Sequence, residues 1–353
     1  MADKQEICII IPHYNGLDIL DDCLASLYKN TYKNFKAFVI DNGSTDGSQK
    51  MVSEKFPQAV LIQNTENRGY AGACNQGIEM ATSELILLLN NDTVMPENFL
   101  QEMSAALLAS KNAATIQPKI LSIQDKQFFD YSGGAGGEMD ILGYPFARGR
   151  IFDLVEKDKK QYDQLEAKVF WTSGCALMVK KSVLQEIGNL DEDFFAHQEE
   201  IDLNWRAQIA GYHNLVTTKT YIYHYSGFTL RSDNEHKMYL NHRNNIIMMI
   251  KNYSLFFLCF LLPVRLIMEM VTVAADSMLW GGVRARAVLK ALLYLAVNPV
   301  KIFKKRRHVQ KLRVISDRAV LKNMYAGSVV IDHFLRKLMP YTCVRKFRRK
   351  KEN

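Results

Sequence analysis

The sequence predicts an α/β fold with a mainly parallel central sheet, and three features indicate it. Leu85–Leu89 is an unbroken apolar run of strand length, typical of a strand that is covered on both faces. Similar runs alternate with segments of helical spacing before it, as expected for βαβ units. The runs end on polar residues, which predicts a ligand site at the carboxyl edge of the sheet.

The elements follow one another along the chain with short polar turns between them, so we expect right-handed parallel crossovers. A later helix is predicted over Gln198–Ala210, where Ile201, Trp205 and Ile209 share one stripe and Gly211 follows the end. The first four predicted strands are Ile7–Ile11, Phe35–Ile40, Val60–Ile62 and Leu85–Leu89, and the helices between them lie over 19–28, through Val52 and up to Ala81.

Composition is that of a globular protein. The chain has 353 residues, 48% hydrophobic and 23% charged, which is enough to bury one large core and a smaller appendage. The six cysteines form no close pair, which argues against disulfides or a zinc site and favours reduced thiols in the cytosol. Ile7–Ile11 is too short for the core of a signal peptide, so we expect the protein to stay where it is made.

Charge is unevenly distributed along the chain. Residues 301–353 hold 17 lysines and arginines against 3 acidic residues, a net +14, although the whole chain carries only +8. A basic end on a slightly acidic body favours an anionic partner, either lipid headgroups or nucleic acid. We expect lipid and no nucleic acid, because no nucleic-acid recognition fold is visible around this end.

The fourth predicted strand ends on Asn90-Asn91-Asp92. A carboxylate flanked by amides at this edge suits Mg²⁺ or Mn²⁺ holding a phosphate, since both ions prefer oxygen ligands. A polar turn in which Asp92 caps the next segment explains the same residues equally well. These residues alone leave both interpretations open.

The second strand ends at Asp41, where an acid could accept hydrogen bonds from a ribose. A dinucleotide fold needs its glycine-rich turn before that acid, whereas here the glycine-rich segment 69–77 comes after it, so NAD binding is excluded. An Asx-turn at Asp41 is the alternative and is compatible with ligand binding. Segment 69–77 offers backbone N–H groups for a phosphate or sugar, which is a weak signal by itself.

Two further groups are candidates for chemistry. Glu199 and Glu200 begin a helix, where acids often do no more than interact with the helix dipole, and one of them is expected to have that role. The other could take a proton from an incoming hydroxyl, with a pKa raised by its neighbour. His224 ends a strand-like run, where a structural hydrogen bond is the common role, and it is also the best imidazole candidate for the ion.

Seven short motifs occur in order: Ile11-Pro-His-Tyr-Asn, Asp41-Asn-Gly-Ser-Thr-Asp, Asn67-Arg-Gly-Tyr-Ala-Gly, Leu89-Asn-Asn-Asp-Thr, Trp171-Thr-Ser-Gly, Glu199-Glu-Ile-Asp-Leu-Asn-Trp-Arg and Tyr223-His-Tyr-Ser-Gly. Together they resemble the inverting glycosyltransferases of family 2, which have the GT-A fold, and especially the rhamnosyltransferase-like branch. The resemblance covers about residues 5–250. Each motif is weak alone, whereas seven in order form a specific signal.

The resemblance implies a donor pocket. Pro12, Tyr14 and Asn15 would line the nucleotide, and Asp41 would bind the imide N–H of a pyrimidine. Six residues of the glycine-rich turn and of the end of the fourth strand would border the ribose, the donor sugar and the diphosphate. They are Asn67, Gly69, Gly72, Asn75, Asn91 and Asp92.

The resemblance also implies catalytic roles. Asp92 would bind Mg²⁺ or Mn²⁺ as the last acid of an Asp-x-Asp-like motif, with His224 as a second ligand. Glu200 occupies the position of the general base, with Glu199 as the alternative. Trp171, Gly174 and the loop 133–150 would shape the acceptor side. One carboxylate opposite the leaving group is sufficient for a single displacement with inversion, and the ion would stabilise the leaving diphosphate.

The chain departs from the common family pattern in three places. Asn90 and Asn91 stand where acids are frequent, which predicts modest metal affinity. Ala73 replaces a glycine. Glu200 is one methylene longer than the usual aspartate, so the choice between Glu199 and Glu200 stays open.

After Asn252 the chain becomes largely apolar, but its longest clean run, Leu255–Leu262, is far short of the ~20 residues that span a bilayer. The charged and polar residues recur on one helical face, which predicts a helix lying in the plane of a membrane interface; a hairpin packed on the catalytic domain is the alternative. These residues are Arg265, Glu269, Thr272 and Asp276, and a second helix repeats the pattern at Arg286, Lys290, Tyr294 and Lys301.

We therefore expect a GT-A catalytic domain at 1–250, membrane-associated helices at 251–303 and a basic tail at 304–353. The expected activity is transfer of a sugar from a UDP- or dTDP-linked donor, with dTDP-rhamnose as one candidate, to a lipid-linked or oligosaccharide acceptor in polysaccharide biosynthesis. The expected location is the cytoplasmic face of the cell membrane, with the helices and tail on anionic lipid. A membrane-bound scaffold that binds nucleotide sugars without turnover is the alternative.

Overall fold

The computed structural model describes residues 5–164, 167–225 and 234–335. The strands are β1 (Ile7–His13), β2 (Phe35–Asp41), β3 (Val60–Gln63), β4 (Leu85–Leu89), β5 (Thr93–Val94), β6 (Ala113–Ser122), β7 (Gly137–Met139), β8 (Pro145–Ala147), β9 (Arg150–Ile151), β10 (Leu154–Val155), β11 (Lys168–Val169), β12 (Ala176–Lys180) and β13 (His213–His224).

The helices are α1 (Leu17–Tyr28), α2 (Ser48–Lys55), α3 (Gly69–Met80), α4 (Phe99–Leu108), α5 (Lys181–Ile187), α6 (Glu199–Ile209), α7 (Glu235–Asn252), α8 (Leu255–Leu279), α9 (Val283–Val297), α10 (Pro299–Lys311), α11 (Asp317–Leu321) and α12 (Val329–Phe334). A 3₁₀ turn covers Glu192–Phe194.

The central sheet has the order β11-β13-β6-β12-β4-β1-β2-β3, with β5 paired to β13. The neighbours β3, β2, β1 and β4 are parallel, as the alternating pattern predicts. β12 inserts antiparallel between β4 and β6, and β6 runs parallel to β13. The expected α/β fold with a mainly parallel sheet is confirmed, and its first four strands begin at the residues that the sequence predicts.

Apolar residues on both faces of the sheet explain why its strands lack alternation. The odd positions of β1, from Ile7 to Ile11, pack under α1, α2 and α4, whereas Cys8 and Ile10 pack under α3, α5 and α6. Leu85 and Ile86 of β4 divide in the same way. A strand covered by helices on both sides has no solvent face, so every position is apolar.

The C-terminal helices share a core with the α/β domain that contains the central sheet. Trp205 of α6 and Trp171 lie in one cluster with Leu258 of α8 and Ile302 of α10. The boundary drawn at 303 falls inside α10, and in that helix Arg306 turns inward and donates to the carbonyl oxygens of Ile250 and Tyr253. Residues 336–353 of the basic tail lie outside the described residues.

Helix α8 carries its charged stripe on the inner face. Arg265 is 2% exposed, donates to Glu269 at 2.9 Å and to the carbonyl oxygen of Leu142 at 3.1 Å, and stacks on Tyr144. His242 of α7 lies 2.7 Å from the other oxygen of Glu269. Arg265 and Glu269, the first two residues of the stripe, therefore pack on the α/β domain, as the packed-hairpin alternative requires.

The outer face of these helices is apolar and exposed. Phe260 is 63% exposed, and large apolar side chains continue along the three helices α8, α9 and α10. Among the described residues, α8 is the one helix long and apolar enough to cross a membrane by length and composition. The exposed residues include Leu255, Phe256, Ile267, Val271, Leu279, Trp280, Leu293, Val297, Val300 and Phe303.

Candidate active site

The turns after β1 and β2 form one wall at the carboxyl edge of the sheet. The strands are paired through His13 and Asp41, and the N–H of Asn42 donates to the carbonyl oxygen of His13 at 2.8 Å. Asn15 has a φ of 54° and binds the second turn twice, through Ser44 Oγ at 2.8 Å and the N–H of Thr45 at 2.9 Å. The predicted residues Pro12, Tyr14 and Asn15 thus lie against the Asp41 turn.

Asp41 is buried and its carboxylate closes a local turn. The N–H of Ser44 lies 3.2 Å from Oδ2, which also accepts from Gln49 Nε2 at 2.9 Å. The Asx-turn that the sequence leaves as the alternative role of Asp41 is therefore present. Tyr14 beside it is 45% exposed, so its ring is accessible to a planar ligand.

The glycine-rich turn supplies the next wall. Asn67 Oδ1 accepts from the N–H of Gly69 at 2.9 Å, which fixes the entry into α3. Gly69 has a φ of +71°, and a Cβ there would lie 2.5 Å from the carbonyl oxygen of Phe195, so only glycine fits this position. At Gly72 a Cβ would lie 3.0 Å from the Cβ of Arg68, a tight but smaller conflict.

Asn75 has a structural role in this arrangement. Its Nδ2 donates to the carbonyl oxygen of Leu190 at 2.9 Å and to Glu192 at 3.0 Å, and its Oδ1 accepts from the N–H of Leu190 at 3.1 Å. These bonds use the amide to attach α3 to the segment before α6. The direct donor contact expected of Asn75 is therefore not supported by its geometry.

Strand pairing brings Asp92 and His224 together. β5 runs antiparallel to the end of β13, with His224 opposite Thr93, so Asp92 Oδ1 lies 3.1 Å from His224 Nε2. The other ring nitrogen, Nδ1, lies 3.0 Å from Asp130 Oδ1. A carboxylate on Nδ1 fixes the ring so that Nε2 faces Asp92, as in metal sites built on histidine.

The pair has the chemistry of a cation site. Both side chains are buried, and Asp92 Oδ1 and His224 Nε2 are directed at each other. Burial lowers the pKa of His224, but Cys175, Asp92 and Asp130 outweigh that effect and hold the pKa well above its usual value. The pocket thus stabilises positive charge, either a proton on the imidazole or a cation between the two side chains.

The protein itself offers few ligands for such a cation. In the ranges 5–164, 167–225 and 234–335, no group of three or more His, Cys, Asp or Glu side chains could hold a metal ion. Asn91 Nδ2 lies 2.8 Å from His13 Nδ1, which fixes this amide between the ends of β4 and β1. A carboxylate and an imidazole fit Mn²⁺ or Mg²⁺ only when a substrate oxygen completes the shell, which is the common arrangement for phosphate-bound Mg²⁺.

The Trp-Thr-Ser-Gly turn connects this site to the acids of α6. β12 pairs with β4, so the N–H of Asn90 donates to the carbonyl oxygen of Cys175 at 2.9 Å. On the other side, Thr172 Oγ1 donates to Asn204 Oδ1 at 3.0 Å and holds α6 against the turn. Asn204 Nδ2 in turn donates to the carbonyl oxygen of Glu200 at 2.6 Å, which attaches the start of α6 to this turn.

The two glutamates differ in their surroundings. Burial raises the pKa of Glu200 to about 7, although the N–H groups of Glu200, Ile201 and Gly174 act in the opposite direction. Burial and then the charge of Glu200 raise the pKa of Glu199 well above its usual value. Both acids act on Tyr70, and one carboxylate oxygen of each is buried, but as a residue Glu199 is buried whereas Glu200 is half-buried.

Trp171 does not line an open acceptor surface. It is 5% exposed, its Nε1 donates to the carbonyl oxygen of Glu138 at 2.7 Å, and its ring packs against Gly137, where a Cβ would lie 2.0 Å away. The small sheet of β7 to β10 therefore covers the ring, and the role expected of Trp171 on the acceptor side stays a prediction. Gly174 does lie at the site, and its carbonyl oxygen accepts from Tyr70 at 2.8 Å.

Sequence reasoning missed several residues of the site. Asp130 approaches His224 across 94 positions of the chain from a segment with no regular pattern, so no local signal marks it. Cys175 Sγ lies 3.5 Å from His224 Nε2, and the sequence shows only an apolar run there. His13 lies inside one of the seven motifs, but the resemblance assigns roles only to its neighbours Pro12, Tyr14 and Asn15.

The fold and this edge of the sheet define a nucleotide-sugar transferase of the GT-A type. Residues 8–188 match the model of "Glycosyl transferase family 2". The chain therefore belongs to family 2 of the glycosyltransferases, and it is a glycosyltransferase.

Curated relatives support the family. The chain is 24% identical over 253 residues to the N-acetylglucosaminyl-diphospho-decaprenol L-rhamnosyltransferase of Mycobacterium tuberculosis, covering 67% of this chain and 81% of the relative. It is 24% identical over 212 residues to the poly-beta-1,6-N-acetyl-D-glucosamine synthase of Staphylococcus aureus, covering 60% of this chain and 47% of the relative.

Solved structures show the same fold. GalNAc-T7 with UDP, GalNAc and Mn²⁺ aligns with a TM-score of 0.58 and 13% identity, over 73% of this chain and 49% of that one. The mannosyltransferase of Pyrobaculum calidifontis in complex with GDP-Man and Mn²⁺ aligns with a TM-score of 0.51 and 16% identity, over 91% and 88%. At these identities the likeness shows the GT-A fold alone.

Proposed function

We propose that the chain transfers a sugar, with inversion, from a UDP- or dTDP-linked donor to a hydroxyl of a lipid-linked or growing cell-surface polysaccharide. The observation that carries the proposal is one continuous contact path from Asp92 and His224, through the turn 172–175 and Asn204, to the backbone of Glu200. The mycobacterial relative acts by name on a diphospho-decaprenol and the staphylococcal relative is a polysaccharide synthase, which supports the acceptor class.

The donor would lie across the ends of β1, β2 and β4. Tyr14 would cover the base, and the turn at Asp41 would bind its edge. The turn from Asn67 to Gly72 would border the ribose and sugar, and Gly69 lets this turn pack closely against Phe195. dTDP-rhamnose is one candidate donor, on the strength of the mycobacterial relative.

Asp92 and His224 would hold Mg²⁺ or Mn²⁺ on the diphosphate. The buried pair of Asp92 Oδ1 and His224 Nε2, which lie 3.1 Å apart and are oriented by Asp130 at the other ring nitrogen, supports this role. The ion, when bound, supplies Lewis-acid stabilisation of the leaving diphosphate. Two protein ligands are sufficient where substrate phosphates provide others.

Glu200 would take the proton from the attacking hydroxyl. A pKa of about 7 is matched to general-base catalysis near neutral pH, because the carboxylate is both populated and basic enough. Burial and the charge of Glu200 raise the pKa of Glu199 well above its usual value, so Glu199 keeps its proton and Glu200 is the acid that ionises near neutral pH. Glu200 is therefore the base in this proposal, with Gly174 beside the attacking oxygen.

The outer face of α8, α9 and α10 would lie in the interface of the cytoplasmic leaflet. Apolar side chains such as Phe260 and Ile267 point outward, and the exposed Lys304 and Arg307 lie on α10 near anionic headgroups. The inward stripe of Arg265 and Glu269 supports an in-plane helix, since a spanning helix would have to carry this pair into the bilayer.

A transfer assay with Mn²⁺ and a panel of UDP- and dTDP-sugars tests the proposal. Glu200→Gln should lower kcat by about 10³-fold, in the range of general-base effects, while Glu199→Gln should lower it by less than about 10-fold. The reverse order would move the base to Glu199. Nucleotide binding with neither donor hydrolysis nor transfer in the wild type would contradict the proposal and favour a scaffold.

A further inference from the structure

The segment before α6 has an unusual backbone. Phe195, His197 and Gln198 have φ values of 62°, 70° and 75°, which residues other than glycine rarely adopt. Such conformations persist when the surroundings hold them, and they cluster at functional sites. Here they directly precede Glu199 and Glu200, so they determine how the first turn of α6 enters the pocket.

One buried side chain holds this segment from the side of α7. Asn244 is fully buried, and its Nδ2 lies 2.9 Å, 3.0 Å and 2.8 Å from the carbonyl oxygens of Phe194, Ala196 and His197. Arg243 Nε donates to Asn244 Oδ1 at 2.9 Å. This bond fixes the orientation of the amide, so that its NH₂ group and not its oxygen faces the three carbonyls.

On its other side, the segment contacts the glycine-rich turn 67–72, which would border the donor sugar. The carbonyl oxygen of Phe195 accepts from the N–H of Ala71 at 3.2 Å, and Gly69 leaves room for the Phe195 ring. The segment is therefore held between the turn that would border the sugar and the Arg243–Asn244 pair. A shift of this segment would move the acids of α6 relative to the donor.

We infer that Asn244 is a positioning residue for the reaction: by binding the carbonyl groups of Phe194, Ala196 and His197, it holds the backbone that leads into α6 and so sets the position of Glu200. This inference rests on the proposed role of Glu200 as the base. Asn244 touches neither substrate nor reacting atoms, and it acts only through the segment 194–198.

Asn244→Asp is the sharpest single change. It keeps the size of the side chain and the oxygen that accepts from Arg243, but it replaces the NH₂ donors by an acceptor that faces three carbonyl oxygens. Displacements of about 1 Å can lower a rate by about 10²-fold. We expect kcat to fall about 30- to 100-fold, with KM for the donor within about 3-fold, since the walls at Tyr14 and Asp41 are untouched.

Asn30→Asp is a matched control far from the site. Asn30 is also fully buried, its Nδ2 donates to the carbonyl oxygens of Ser26 and Leu27, and its Oδ1 accepts from the N–H of Leu100 at 3.0 Å. The substitution removes the same donors and keeps the same acceptor. It should lower the melting temperature as Asn244→Asp does and leave kcat within about 3-fold of the wild type.

The decisive comparison is Asn244→Asp in the Glu200→Gln background. If Asn244 acts through Glu200, the double variant should be as slow as Glu200→Gln alone, because the misplaced group is no longer the base. A further loss equal to that of Asn244→Asp alone would overturn the inference, as would an equal loss of kcat in Asn30→Asp. If Asn244→Asp does not fold, Asn244→Ser, which keeps one donor, allows the same comparison.

The same experiments separate this inference from the assignment of the base. If Glu200→Gln alone retains kcat, the role of Glu200 fails, and the inference about Asn244 fails with it. If Glu200→Gln is slow but Asn244→Asp is as active as Asn30→Asp, only the inference about Asn244 fails.

Discussion

The catalytic sheet and the C-terminal helices distribute charge in opposite ways. In the sheet, apolar residues fill both faces, and the charged groups of the site lie where strands end, as Asp41 and Asp92 do. In α8 the inner face carries Arg265 and Glu269, and the outer face carries Phe260 and its apolar neighbours. The difference shows that a charged stripe in a helical sequence identifies residues on one face of the helix. It does not show whether that face packs on the protein or is exposed.

The reason lies in the partners that the catalytic domain provides. His242, Tyr144 and the carbonyl oxygen of Leu142 satisfy the Arg265–Glu269 pair, so the pair can be buried. A buried ion pair is tolerated when its remaining donors and acceptors have partners. No described part of the chain covers the outer apolar face. For this reason we propose that the outer face lies on lipid.

The largest expected change in stability is at Arg265. Arg265→Met should lower the free energy of unfolding by about 3–5 kcal/mol, because Glu269 would stay buried beside His242 without its main counter-charge. Urea unfolding measures the change. The double variant Arg265→Met/Glu269→Met should recover most of the loss, and a single variant within about 1 kcal/mol of the wild type would contradict a buried, satisfied pair.

The outer face gives the next effect. A triple change of Phe256, Phe260 and Ile267 to Glu should lower binding to anionic vesicles by at least about 10-fold, since three large apolar side chains would leave the lipid. Flotation at fixed salt measures it, and the urea midpoint should not change. Leu108→Glu, an exposed apolar site on the catalytic domain, is the control; equal flotation of all three proteins would refute the lipid assignment.

The smallest effect concerns Glu200 and pH. Its pKa is raised in the folded state to about 7 from a usual 4.5, so the stability that it contributes is present below pH 4.5 and is lost as the pH rises through 7. Glu200→Gln should therefore melt about 2 °C higher than the wild type at pH 8 and equally at pH 4. A wild type that is more stable at pH 8 would contradict the burial of this acid.

Much of the fold could be predicted from local pattern. Leu85–Leu89 is a strand with the predicted bounds, because a covered strand needs apolar residues at every position, and the ordered motifs identified the family. The site was predicted only where a residue lies at the end of a strand or the start of a helix. Asp130 and Asn244 could not be predicted, since each acts through contacts distant in sequence.

Burial also bears on two sequence-based interpretations. Trp171 lies in the motif that carries the resemblance, yet the small sheet covers its ring, and that sheet was seen only as a glycine-rich segment. For residues 251–303, the sequence predicts an interface helix and leaves a packed hairpin as the alternative. The structure contains the packed inner face, and the interface role is now a proposal about the outer face alone.

Nucleotide binding measured calorimetrically, with and without Mn²⁺, is the most direct test of the site. Asp92→Asn should remove the Mn²⁺-dependent part of the affinity for UDP or dTDP, a loss of at least about 10-fold. Glu200→Gln should bind the same nucleotide within about 2-fold of the wild type while transfer falls about 10³-fold. If both variants change nucleotide affinity alike, or if Mn²⁺ has no effect on the wild type, the division of roles between Asp92 and Glu200 is wrong.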